Sequence, residues 1–249
     1  MKTMTTETRM RKLQLLYLKY TNKAGYAGAW DLPRMHCSTD VYPDYIALFG
    51  QPSDYRRTSK TAVAFFQYDD VFDGQHGLYN AIYYGNRKDL RTFKKRFKGV
   101  RFAIAPDCSL CGDVDKAEIL IRIKRSRVVA IWMTIELGIC VIPLVSFPRA
   151  ADLDDILAGL ENCEVVAFST KGFVKDSEER ANLIEGVKRT VDQLNLKAIV
   201  VYDVCKTDKD ALEIFDYAVK KGIQIVVPNN ILKERNRQTK TINKGVRHA

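Results

Sequence analysis

Short apolar runs alternate with amphipathic stretches through most of the chain. Ala62–Tyr68, Arg101–Ala105, Ile139–Phe147, Glu164–Ser169, Ala198–Tyr202 and Ile223–Val227 are brief and rich in β-branched or aromatic residues, the pattern of buried strands. Helix patterns lie between them. Asp115–Leu137 is a long run of helix formers closed by Gly138, and Asp152–Leu160 is a shorter one. Ser177-Glu178-Glu179-Arg180 reads as a cap and an acidic first turn, continued by Leu183, Val187, Val191 and Leu194. Thr207 or Asp208 caps the next helix, whose apolar stripe is Ala211, Ile214, Phe215 and Ala218. Alternation of this kind predicts parallel strands joined by right-handed crossovers. Six strands are fewer than the eight of a closed barrel. The expected fold is therefore α/β, an incomplete or irregular (β/α) barrel-like arrangement, with an open doubly wound sheet as the alternative.

The flanks are less regular. Residues 1–12 read as a disordered or weakly helical lead, Leu13–Tyr20 has apolar positions too crowded to assign, and Trp30–Pro52 is loop-like, broken by Pro33, Pro43, Gly50 and Pro52. This divides the chain into an N-terminal arm (1–60), an α/β domain (61–230) and a basic tail (231–249). An apolar content of 46% over 249 residues is ample for one sizeable core. Val128–Phe147 carries only Glu136 as a charge, yet Gly138 and Pro143 divide it and Arg122, Lys124, Arg125 and Arg127 load the same helix, so no membrane span is expected. The six cysteines sit mostly in or beside apolar runs, and no leader peptide is read ahead of them. That usage fits a reducing cytoplasm.

The net charge of +10 is unevenly spread. Residues 1–23, 86–101 and 231–249 carry +5, +7 and +5, which leaves −7 on the remainder. An acidic body with basic arms and one basic insert attracts polyanions through counterion release. In the insert, Tyr79, Tyr83 and Tyr84 precede Arg87, Lys88, Arg91, Lys94, Lys95, Arg96 and Lys98, placing stacking surfaces beside phosphate partners. Leu90, Phe93 and Phe97 form the apolar stripe of the same segment, so the cations face outward. DNA or RNA is thus a candidate partner, and a host protein is another. The oligomeric state is not encoded legibly.

Three apolar runs end in aspartate: Asp69-Asp70, Asp107 and Asp203. Strand C-termini of a parallel α/β protein share one face, where ligand sites are built. Carboxylates meeting there could ligate Mg²⁺ or Mn²⁺ for phosphodiester cleavage, or act as general acid and base. Aspartates at such positions also serve as helix caps and turn formers.

Around these residues the chain resembles a known family. Phe65-Phe66-Gln67-Tyr68-Asp69-Asp70-Val71-Phe72-Asp73, Gly99-Val100 with Pro106-Asp107-Cys108-Ser109, Gly138–Pro143 and Val165–Gly172 follow the successive blocks of the family called domain of unknown function 4417, across roughly residues 30–230. The resemblance implies occurrence in bacteria, phages and mobile elements and brings no activity with it. It makes Asp70 and Asp107 the favoured catalytic pair. Asp69 and Asp203 are additional metal ligands by position. Asp73 and Ser109, where the spacing departs from the family pattern, are secondary candidates together with His76, Asp113 and Arg127.

Other motifs are weaker. Cys108-Ser109-Leu110-Cys111 is a lone CxxC without a second ligand pair. Lys171-Gly172 after Ser169-Thr170 lacks phosphate-loop spacing and no GxGxxG occurs, so no nucleotide cofactor is expected. Three function classes remain open. They are a divalent-metal-dependent, nuclease-like hydrolase, a non-enzymatic phage or plasmid adaptor or inhibitor that binds a host protein or DNA, and a small-molecule hydrolase or lyase.

Overall fold

The computed structural model describes residues 6–67, 72–108, 113–174, 176–205 and 207–235. Two short helices, α1 (Thr6–Lys12) and α2 (Leu18–Ala24), lead into an antiparallel hairpin of β1 (Tyr26–Ala27) and β2 (Leu32–Pro33). The main sheet then begins with β3 (Tyr45–Leu48), which pairs in parallel with β4 (Thr61–Ala64). Parallel pairing continues through β5 (Phe102–Ile104) to β6 (Cys140–Ile142). A second parallel sheet holds β7 (Val165–Ser169), β8 (Ala198–Tyr202) and β9 (Gln224–Val226).

The two sheets meet at both edges. At one, a parallel bridge between Leu144 and Ala167 carries β6 onto β7. At the other, the chain leaves β9 and pairs through β10 (Asn229–Asn230) with β3. Both joints sit beside a proline, Pro143 and Pro228. Proline has no N–H to give a ladder, so pairing falters there. The result is the incomplete, barrel-like α/β arrangement that the alternation of elements predicts; no continuous ladder closes it.

Short strands are covered by helices that return the chain to the opposite end: α3 (Leu78–Tyr84) and α4 (Arg87–Arg96) between β4 and β5, α5 (Lys116–Leu137) before β6, α6 (Leu153–Leu157) before β7, α7 (Ser177–Gln193) before β8, and α8 (Asp208–Ile214) with α9 (Asp216–Lys220) before β9. Four of their starts are capped by side chains. Asn86, Asp115, Asp176 and Thr207 accept from backbone N–H groups of α4, α5, α7 and α8, and Thr207 with Asp210 forms a reciprocal capping box. The cap of α7 is Asp176 and not Ser177. Gly138 ends α5 in the left-handed region, at φ 65°, where a side chain is disfavoured.

Beneath α4 lies an aromatic core. Phe65 stacks on Phe49 at 5.0 Å and meets Phe72 edge-on at 5.5 Å, and Phe97 closes the cluster against Tyr55. β3 is absent from the sequence reading. Tyr45-Ile46-Ala47-Leu48 is fully buried between β4 and β10, but four residues flanked by Pro43 and Pro52 show too little pattern to separate from a loop. Likewise β4 stops at Ala64 and β6 at Ile142, shorter than the apolar runs that contain them. Among the described residues no helix is long and apolar enough to cross a membrane.

Candidate functional site at the strand C-termini

Because every main-sheet strand is parallel, all their C-terminal ends open on one mouth. β4 and β5 end there side by side. Asp107 follows β5 by three residues and is half-buried. Ser146, beyond β6, donates its hydroxyl to Asp107 Oδ1 at 3.0 Å, and Ser126 of α5 fixes the preceding turn by donating to the Pro106 carbonyl at 2.6 Å. The caps of α4, α5, α7 and α8 are supplied by other residues. Asp107 is thus a half-buried carboxylate positioned at the rim. A small cavity lined by Pro106, Cys108, Arg122, Ser126, Pro143 and Ser146, among others, opens beside it. Asp69, Asp70 and Ser109 lie outside the described residues, as does Cys111 of the CxxC.

Asp203, at the end of β8, has a different setting. Its side chain is fully buried. Oδ1 accepts from the Cys205 backbone N–H at 2.8 Å and from the Thr170 hydroxyl at 3.3 Å, while Lys233 Nζ stands 3.5 Å from Oδ2. The Asp203 carbonyl accepts from Asn230 Nδ2 at 2.9 Å, and Asn230 Oδ1 accepts from the Lys233 backbone. These contacts tie β7, β8, β10 and helical residues 231–235 together at the joint where the ladder breaks. Burial, followed by the hydrogen bond to Asp203, pushes the Cys205 thiol up to about 12. Such an enclosed carboxylate, already met by an ammonium group, braces the fold. Across the mouth, Tyr202 stacks on Phe66 at 4.4 Å and Lys171 donates to the Phe66 carbonyl at 2.9 Å.

The remaining candidates are dispersed. The Asp73 side chain is 4% exposed and ion-paired with Arg125, whose guanidinium lies 4.7 Å from the Tyr79 ring centre. His76 is exposed, with Nδ1 3.1 Å from Asp89 Oδ2. Asp113 is exposed in the turn before α5. Arg127 is buried and donates to the carbonyls of Pro33, Ala158 and Ile156 at 3.0, 2.5 and 2.5 Å, joining α5 to β2 and α6. Desolvation brings its guanidinium down to about 10, still a cation at neutral pH. Arg127 thus holds three backbone acceptors that would otherwise be buried without donors. Among the described residues no three His, Cys, Asp or Glu side chains gather as metal ligands.

The basic insert folds as expected from its periodicity. Phe93 and Phe97 are buried, whereas Arg87, Lys88, Arg91, Lys94, Lys95 and Lys98 are exposed. Arg96 turns inward: its guanidinium sits 4.0 Å from the Phe49 ring centre and donates to Tyr55 Oη at 3.2 Å. α4 starts near the loop after β4, through the His76–Asp89 contact, and five residues separate its end from β5. Its last lysines consequently lie toward the N-terminal end of β5, the end opposite Asp107. The sequence gives no hint of Ser146, Thr170, Asn230 or Lys233 as site neighbours. A lone polar residue beside a strand reveals its partner only when the pairing order is known.

No curated protein and no solved structure matches the chain. The family described as Domain of unknown function (DUF4417) matches residues 24–218 of the 249, and the chain belongs to it.

Proposed function

We propose that this protein acts on nucleic acid as a divalent-metal-dependent, nuclease-like hydrolase, with its reaction centre at the C-terminal mouth of the strands. The observation that carries the reading is Asp107: half-buried, oriented by Ser146 and placed at the end of the strand next to β4. Asp69 and Asp70 follow β4 in sequence and supply the further carboxylates. Together these oxygens suit Mg²⁺ or Mn²⁺, which would acidify a bound water and offset phosphate charge. Asp203 is left out of this ligand set, since its buried Oδ1 accepts from Cys205 and Thr170 and its Oδ2 stands 3.5 Å from the Lys233 ammonium. The exposed cations of α4 support a polyanionic substrate.

Purified protein is expected to cleave single-stranded DNA or RNA with Mn²⁺ or Mg²⁺, and Asp107→Asn and Asp70→Asn to lose at least about a hundredfold in rate while still binding. Absence of cleavage by the unaltered protein with either metal contradicts the reading. One observation favours the adaptor alternative. The Lys94, Lys95 and Lys98 end of α4 points away from the mouth, a placement that suits binding without cleavage. In that case Asp107→Asn changes nothing measurable.

A further inference from the structure

Two basic segments that are far apart in sequence come together in the fold. The arm of α1 and α2 lies against the α3–α4 turn. Leu16 packs so closely on Gly85 that an added Cβ would stand 2.2 Å from its Cδ1, and Arg11 Nη1 lies 3.4 Å from the same point. Tyr17 stacks on Tyr83 at 4.9 Å. Lys19 of α2 and Lys94 of α4 share one carboxylate, Glu136, at 3.9 and 2.6 Å, and Tyr20 donates to it at 3.0 Å. Gly85 is two residues ahead of Arg87, so Arg11 stands beside the start of the α4 cation row.

α1 itself buries nothing. The core does not need it; what it adds is Arg9, Arg11 and Lys12 on an exposed surface. On α4, Arg87, Arg91 and Lys94 fall within about 60° of one another around the axis, with Lys88 and Lys95 alongside and Lys98 two residues past its end. Acidic groups on this face are few and engaged. Glu7 pairs with Arg11, Asp89 with His76 and Asn86, and Glu136 with the two lysines. Between the two cation rows, at the end of α3, Tyr84 leaves its ring 52% exposed. Cations that outnumber the acids beside them repel one another, and a polyanion removes that repulsion. An exposed ring in their midst adds a stacking platform for a base, which an acidic polypeptide would not use.

We infer that α1, α4 and Tyr84 form one continuous binding face for single-stranded nucleic acid, with the phosphates on Arg9, Arg11, Arg87, Arg91 and Lys95 and a base on Tyr84. This rests on the nucleic-acid part of the reading above, and it adds a face distinct from the reacting mouth. At its Arg87 end the face approaches the loop that follows β4, so a bound strand would run from the outer surface toward the mouth.

The test is fluorescence anisotropy of a labelled 20-nucleotide oligothymidylate across a salt series, using the full chain and substitutions confined to exposed positions. Arg9→Gln with Arg11→Gln, and Arg91→Gln with Lys95→Gln, are each expected to lower affinity roughly tenfold or more and to shallow the log–log salt slope by about 1.4, two phosphate contacts at ~0.7 each. Tyr84→Ala is expected to lower affinity about fivefold or more with an unchanged slope. Circular dichroism checks that each variant keeps its helix content. Loss of affinity from the α4 pair with none from the α1 pair overturns the composite face, as does equal competition by polyglutamate. If the face binds in this pattern and neither metal supports cleavage, the hydrolase reading fails while the face stands. If Asp107→Asn loses cleavage and the α1 and α4 variants bind normally, the face fails alone.

Discussion

Asp107 and Asp203 each follow a short, buried, parallel strand, and nothing in the chain before them tells them apart. Asp203 is enclosed by Thr170, Cys205, Asn230 and Lys233, at the joint where β9 gives way to β10. Asp107 is half-buried beside a small cavity, held by Ser146. A strand-terminal acid is thus fully enclosed where it ties β8 to β10, and half-buried at the rim where Ser146 beyond β6 orients it. The difference comes from residues 27 to 39 positions away from each aspartate, beyond the reach of local pattern.

Breaking the Asp203 brace should have the largest effect on stability. Asp203→Ala removes the carboxylate that faces the buried Lys233 ammonium and accepts from Cys205 and Thr170, and should cost about 3–5 kcal/mol, read as a lowered urea midpoint. Asp203→Asn with Lys233→Met should cost less than the two single changes summed, because no uncompensated charge remains. Arg127→Ala should cost ~3 kcal/mol by leaving three buried carbonyls without donors and opening a void, also read by urea unfolding. Asp107→Asn, by contrast, should move stability by no more than about 1 kcal/mol. Its effect is expected on activity.

A smaller, pH-dependent effect separates the basic face from both acids. The hydrogen bond from Lys94, reinforced by Tyr20, holds the Glu136 carboxyl below the ordinary glutamate range. A carboxylate whose folded pKa is depressed contributes stability above its unfolded value and loses it as pH falls through the folded one. Glu136→Gln should therefore be less stable than the unaltered protein at pH 7, and the two should converge in acid below the ordinary glutamate range. Urea midpoints at both pH values check this. The smallest effect is at a helix end, where Thr207→Ala, removing one half of the capping box of α8, should cost ~1 kcal/mol.

The fold was largely legible because β-branched runs, capping residues and Gly138 mark elements locally. β3 was hidden since four residues between prolines carry little periodicity, and the closure through β10 was hidden because two asparagines look like a turn. The site was legible only in part. Strand-end position identifies Asp107 but also Asp203, whose bracing role depends on Lys233, a residue that reads as part of a basic tail. The cation face shows the same limit. Residues 1–23 and 86–101 are visibly basic, yet their union depends on Leu16 seated on Gly85 and on two lysines sharing Glu136.

The most direct test compares the two aspartates in one assay: Mn²⁺- or Mg²⁺-dependent cleavage of labelled single-stranded DNA and RNA by the unaltered protein and by Asp107→Asn, at a temperature where both are folded. The account predicts cleavage by the former and a loss of at least about a hundredfold in the latter, with oligothymidylate affinity unchanged. Equal rates for the two proteins, or no cleavage by either, would contradict it.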